Sequence, residues 1–232
     1  MKLSKIQISQ TEKVVTAFLF LFVCIEIIAD FKTFDLNFCL FKPIIVLVIL
    51  GLYIMVSEVK STFYITALLF IFVTSILLEL NPKHYSLPAL AGYISYRFIL
   101  IIYVIKINKV KDFIPVVIAI IPTLFIFSYL LTIADELSSF SFYGLVTQNS
   151  IVSIMTVLVV SKYFINETNY SAWFSIYGLL SVFLYFIIFV EKCFLSTFPP
   201  TILSALGMIL YVSSNYSFYR FVIDTEKISK LK

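Results

Sequence analysis

Histidine, tryptophan, cysteine and glycine are scarce in this 232-residue chain, with one His, one Trp, three Cys and five Gly. Each shortage removes a class of chemistry. A lone histidine, His84 in a short connecting segment, cannot build a multi-histidine metal centre. Cys24, Cys39 and Cys193 follow no Cys-x-x-Cys spacing, so they read as small apolar packing residues, with no metal site and no disulfide framework. Five glycines form neither a phosphate-cradling loop nor a Gly-x-x-x-Gly dimer motif. Charged residues are only 13% of the chain, and Asp30, Asp35, Asp112, Asp135 and Asp224 all fall at the ends of apolar runs or beyond them. There is no Ser/His/Asp set, no His-Glu-x-x-His and no carboxylate pair on one helix face. The catalytic inventory is therefore poor, and no cofactor is expected.

Apolar residues fill the space, at 61% hydrophobic and 18% aromatic, far from the balance of a soluble domain. They fall into eight runs of roughly twenty residues, the length a helix needs to cross a bilayer. The runs cover 14–30, 38–56, 62–80, 87–105, 113–133, 142–161, 171–190 and 200–220. Backbone pairing in lipid must be internal, so the expectation is an all-α, polytopic transmembrane helical bundle of about eight helices, one integral-membrane domain over 1–232. The flank Ile27-Ile28-Ala29-Asp30-Phe31 lacks the small-residue pair of a signal-peptidase site, so the first run reads as an anchor. Pro43, Pro88 and Pro199-Pro200 open helices, whereas Pro122 falls inside one and should kink it.

Basic residues alternate by side. Counted on alternate connections, one set carries twelve Lys and Arg, the other only Lys32, Lys83 and Lys192. The positive-inside rule then puts both termini in the cytoplasm, and an even number of crossings agrees. This asymmetry accounts for the +4 net charge without a nucleic-acid partner. Fifteen Lys against two Arg fits an AT-rich bacterial coding sequence, hence an inner membrane. Many of the tyrosines sit near run ends (Tyr64, Tyr85, Tyr163, Tyr170, Tyr211, Tyr219), which predicts headgroup-level and lipid-facing aromatics.

Ionisable groups inside the runs are costly and therefore informative. Glu26, Lys42 and Glu79 fall toward the outer ends of their runs, and Arg97 lies about halfway along the fourth. Glu26 with Lys42 and Glu79 with Arg97 are the natural pairs across sequential helices. Two readings stay open: a polar cavity opening outward, or side chains of Glu26, Lys42 and Glu79 snorkelling to headgroups. Arg97 cannot snorkel easily, which leaves it an interior role as structural partner or anion contact. Gln148 and Asn149 read as interhelical hydrogen-bond donors and acceptors. Thr74 and Ser75 should bond back to their own helix. Ser213, Ser214 and Asn215 are the clearest polar run in the inner half.

The order of segments then becomes suggestive. Phe41-Lys42-Pro43-Ile44 is followed by the run from Ala67 through Phe72-Val73-Thr74-Ser75 to Leu78, then Ala91-Gly92-Tyr93-Ile94-Ser95-Tyr96 and Tyr103. This resembles the YhhN family of eight-helix membrane proteins, whose characterised members are lysoplasmalogenases that hydrolyse a vinyl-ether bond. The resemblance implies a Gly-Asp pair where this chain has Thr74-Ser75, a Ser-Asp pair near Tyr185-Phe186 and a histidine at Leu100. Vinyl-ether hydrolysis needs a proton donor beside the alkene, and these positions supply none. Glu26 and Glu79 are the only candidates to replace it. The expectation is a retained scaffold that binds membrane lipids or a membrane protein partner without the family's hydrolase chemistry. The alternatives are an ether-lipid hydrolase with a rearranged site and a small transporter or accessory subunit.

Overall fold

A computed structural model describes residues 2–31, 41–80, 86–108, 139–164, 172–195 and 201–230, with scattered positions between 121 and 133. Among them the chain is all-helical, without strands: α1 (Lys2–Phe31), α2 (Phe41–Val56), α3 (Thr62–Leu80), α4 (Ser86–Asn108), α5 (Ser139–Phe164), α6 (Ala172–Phe194) and α7 (Thr201–Lys230). The described positions from 121 to 133 are helical too, where the fifth apolar run was expected. The kink expected at Pro122 rests largely on neighbours outside the described residues. Leu87–Ile107 and Ala172–Glu191 are long and apolar enough to cross a membrane; Phe41–Val56, Thr62–Leu78 and Tyr143–Val159 are apolar but shorter.

Local chemistry explains several helix limits. Pro43 and Pro88 occupy the first turns of α2 and α4, where a missing N–H leaves no bond unmade. Thr201 starts α7 directly after Pro199-Pro200. Between α2 and α3 the chain turns in five residues. The Ser57 amide donates to the Tyr53 carbonyl at 2.8 Å, ending α2. Lys60 takes a left-handed φ of 50°, an uncommon choice for a residue with a Cβ. Its amide donates to Ser57 Oγ at 2.9 Å, which holds the turn.

The helices close into a ring: each packs on its neighbours in chain order, α7 returns to α1, and α7 also touches α2. Ring contacts and hydrogen bonds give the directions. Phe20 meets Tyr216 while Glu12 meets Arg220, so α1 and α7 are antiparallel and their free ends share one end of the bundle. Tyr96 bonds Asn215 and Tyr103 meets Phe218, so α4 runs parallel to α7. Tyr185 bonds Asn149 while Gly178 faces Val159, which makes α5 antiparallel to α6. Phe174 on Phe221 and Tyr177 on Phe218 make α6 antiparallel to α7. Hence α4 and α5 point the same way.

The terminal helices extend past the apolar runs 14–30 and 200–220, and Glu12 pairs with Arg220 at 2.8 Å where the two helices meet. One expectation is corrected. The tyrosines read as headgroup-level are core residues where described: Tyr64, Tyr211 and Tyr219 are buried, and Tyr85, Tyr163 and Tyr170 lie outside the described side chains. Tyr53, Tyr64 and Tyr177 join Phe174, Phe218 and Phe221 in an edge-on and stacked aromatic core around α7. Phe, with no hydroxyl to satisfy, supplies much of the outside instead: Phe18 is 66% exposed, and Phe98, Phe125 and Phe183 are exposed as well.

Close crossings depend on small residues. A Cβ added at Gly92 would collide with Thr74 Oγ1, and one at Gly178 with the Val159 side chain. Gly92→Val should therefore push α3 from α4 and cost about 1–3 kcal/mol. Thermal melts in detergent should show the loss, with partial recovery in Gly92→Val combined with Thr74→Ala; an unchanged melting point would refute the close crossing.

Candidate functional site

Arg97 is the centre of the polar interior. It lies eleven residues from either end of α4, about 16 Å at about 1.5 Å per residue, and is only 7% exposed. Its Nη1 donates to Ser181 Oγ on α6 at 3.2 Å, and its Nε has no hydrogen-bond partner. No acidic side chain pairs with it among the described residues. The next residue, Tyr96, donates its hydroxyl to Asn215 Oδ1 at 3.2 Å, and Asn215 Nδ2 donates to the Tyr211 carbonyl of its own helix. The Tyr211 hydroxyl lies 3.5 Å from Ser75 Oγ. One polar layer thus runs from α3 through α7 and α4 to α6.

Helix register carries the layer onto α5. Asn149 accepts from the Tyr185 hydroxyl, and Ser153 lies one turn along α5 on the same face. Ser181 lies one turn back from Tyr185 on α6, which sets Ser153 opposite Ser181 in this antiparallel pair. Asn149 is 1% exposed with Nδ2 unpartnered, and Ser153 is 0% exposed with Oγ unpartnered. The parallel pair α4 and α5 agrees, since Gly144 faces Leu90 and the same offset sets Arg97 level with residue 151.

The sequence-derived candidates separate into two places. Arg97, Asn149, Thr74 and Ser75 belong to or border this layer. Thr74 and Ser75 bond back to the carbonyls of Phe70 and Ile71 at 2.7 and 2.8 Å, as expected of helix hydroxyls. Asn149 makes the interhelical bond expected of it, while Gln148 is half-buried beside it. Asn215, expected on the inner side, is instead level with Tyr96 at mid-height. Glu26 and Lys42 lie away from the layer, near the Phe22–Phe41 contact that joins α1 to the start of α2. Glu26 is half-buried and Lys42 exposed. The Glu79 side chain lies outside the described residues. The Thr74–Gly92 crossing sets its backbone level with Leu87, ten residues or about 15 Å of helix above Arg97. His84 and Cys39 also lie outside the described residues, as does the Cys193 side chain, whereas Cys24 is free and exposed. Leu100 and Tyr185 are buried, and Phe186 faces outward.

No family model matches the chain, and no curated protein or solved structure matches it. The geometry therefore carries the functional argument by itself. It offers donors fixed in place: a guanidinium, a carboxamide and several hydroxyls. Among the described residues no group of three or more His, Cys, Asp or Glu could hold a metal ion.

A second polar cluster escaped the sequence reading altogether. Glu226 on α7 accepts from Tyr53 Oη and Ser57 Oγ, each at 2.6 Å, and Tyr53 Oη accepts from the Ser61 amide at 2.5 Å. Next to it, Glu12 accepts from Arg220 at 2.8 Å and Tyr219 at 3.1 Å, and Arg220 lies over the Trp173 ring at 5.6 Å. Both acids lie beyond the apolar runs 14–30 and 200–220. A signal existed: the apolar Phe221-Val222-Ile223 continues the chain past the end of the last apolar run, among Arg220, Asp224 and Lys227. The cluster locks the α2–α3 turn to the last helix and reads as structural. Glu226→Ala should strand two buried hydroxyls and cost about 2 kcal/mol. A double-mutant cycle with Tyr53→Phe tests it: a coupling energy near zero would show that the two residues do not interact.

Proposed function

We propose that the chain is a multi-pass inner-membrane protein of YhhN-like architecture, with both ends in the cytoplasm, that binds a lipid without cleaving it. Its outer surface supports the membrane reading. Large apolar side chains on several helices face outward, Ile202 at 68% exposed among them, a pattern a soluble monomer does not sustain over its whole girth. Two helices have the full length and apolarity to span. The parallel α4 and α5 call for one more passage between them, and eight passages fit the charge asymmetry. Lys60, Lys106, Arg220 and Lys227 come from the helix ends that gather at one end of the bundle, the end the positive-inside rule would put in the cytoplasm.

The observation that carries the lipid-binding reading is the chemistry of the mid-height layer. Vinyl-ether hydrolysis has to protonate carbon and activate water. A guanidinium stays protonated, while hydroxyls and amides bind and orient. Arg97, Asn149, Ser153 and Ser181 supply the second kind of chemistry. Ser75 could act as a nucleophile only with a base beside it, and its described neighbours at hydrogen-bond range are the Ile71 carbonyl and the Tyr211 phenol. Glu26, the described acid among the candidates, lies at another corner of the bundle.

Purified protein incubated with lysoplasmalogen, and with ester lysolipids as a panel, should release no aldehyde or fatty acid above a protein-free control. Release that disappears in Glu26→Gln or Glu79→Gln would replace this reading with that of a hydrolase. Reporter fusions should place the residues after Lys230 and before Lys2 on the cytoplasmic side. A periplasmic reporter at either end would break the even-crossing topology.

A further inference from the structure

We propose that Arg97, Asn149, Ser153 and Ser181 form a buried oxyanion site, and that its ligand is a phosphate group, carried by a lipid or free. The inference rests on the lipid-binding reading above and adds the recognised group. Three unpartnered polar atoms carry it: Arg97 Nε, Asn149 Nδ2 and Ser153 Oγ, all on side chains at least nine-tenths buried. All three can donate. Arg97 is joined to Ser181, register sets Ser181 opposite Ser153, and Asn149 follows one turn away. Buried polar groups are normally satisfied, and three donors left over in one layer call for a single acceptor-rich partner.

The charge argument narrows the partner further. A cation at mid-height of a membrane bundle needs a counter-charge, and no acidic side chain provides one to Arg97 among the described residues. A phosphate has several acceptor oxygens and negative charge, and guanidinium–phosphate hydrogen bonds are charge-assisted and directional. A neutral ligand such as a monoacylglycerol would satisfy hydroxyl and amide but leave the cation uncompensated. A metal cation would be repelled by the Arg97 guanidinium and would meet no group of carboxylate, thiol or imidazole ligands among the described residues.

Full-length protein purified in neutral detergent, followed through Trp173 fluorescence on heating, tests the site. Three probes are titrated: lysophosphatidate, the monoacylglycerol of the same chain, and inorganic phosphate. Lysophosphatidate should raise the melting temperature by several degrees and monoacylglycerol should not. In Arg97→Gln the half-saturating concentration should rise at least about tenfold, the worth of one charge-assisted hydrogen bond, and in Ser153→Ala it should rise by a smaller factor. If inorganic phosphate gives the same shift, the site takes the free ion; if only the lysolipid does, the headgroup is the ligand. Equal shifts from lysophosphatidate and monoacylglycerol would overturn the oxyanion site while leaving lipid binding intact. A shift that survives in both variants would overturn it as well. Should Arg97→Gln fail to fold, Ser153→Ala and Arg97→Lys carry the comparison. Cleavage of the added lysolipid would instead sink the non-hydrolytic reading, and the headgroup comparison could still be read on short incubations.

Discussion

Hydroxyls and charges placed inside an apolar bundle must be paired, and that obligation organises the packing around α7. Most residues of this helix from Tyr211 to Ile223 are buried. Four neighbours meet it through polar hooks. Glu12 of α1 accepts from Tyr219 and Arg220, Tyr53 of α2 and Ser57 of the turn after it donate to Glu226, Ser75 of α3 faces Tyr211, and Tyr96 of α4 bonds Asn215. The α6 contact is made instead by rings, Phe174 on Phe221 and Tyr177 on Phe218. In a lipid environment apolar contacts discriminate poorly between helix faces, because lipid tails are as apolar as leucine. Small residues and polar pairs then set which face meets which neighbour and at what height.

The same logic explains the division of labour between Tyr and Phe. A buried phenol gains a partner that a Phe cannot use, so Tyr53, Tyr96, Tyr185 and Tyr219 each join two helices through one hydrogen bond. Such bonds are individually modest, averaging about 0.6 kcal/mol within membranes, but each is satisfied in only one register. Among the buried polar atoms left without a partner, those of Arg97, Asn149 and Ser153 fall in one layer. Two polar centres at different heights result: one at the end where α1 and α7 meet, tied by Glu12 and Glu226 to Tyr53, Ser57 and Arg220 and suited to holding the fold, and one at mid-height with three donors left over, suited to holding something else.

Composition and periodicity alone were enough for the helical class, the positions of the apolar runs, the odd placement of Arg97 and the back-bonding of Thr74 and Ser75. Each of these depends on local chain properties: the length of an apolar run, the cost of an isolated charge, the reach of a hydroxyl to the carbonyl four residues earlier. The charge asymmetry was equally visible, since it needs only an ordering of segments.

Long-range pairing settled the remainder. The apolar residues beside Glu226 hint at a packed helix end, but what makes Glu226 and Glu12 half-buried acceptors is Tyr53 and Arg220, 173 and 208 residues away in sequence. Tyr64 and Tyr219 look alike as run-end tyrosines until the ring of helices closes over them. Asn149 and Ser153 become part of Arg97's surroundings only because α5 and α4 run parallel, at heights set by contacts such as Gly144 on Leu90. Local rules see spacing along one helix, whereas a site at the junction of α4, α5 and α6 is fixed by the relative heights of three helices, and those heights are set by pairwise contacts that no single segment encodes.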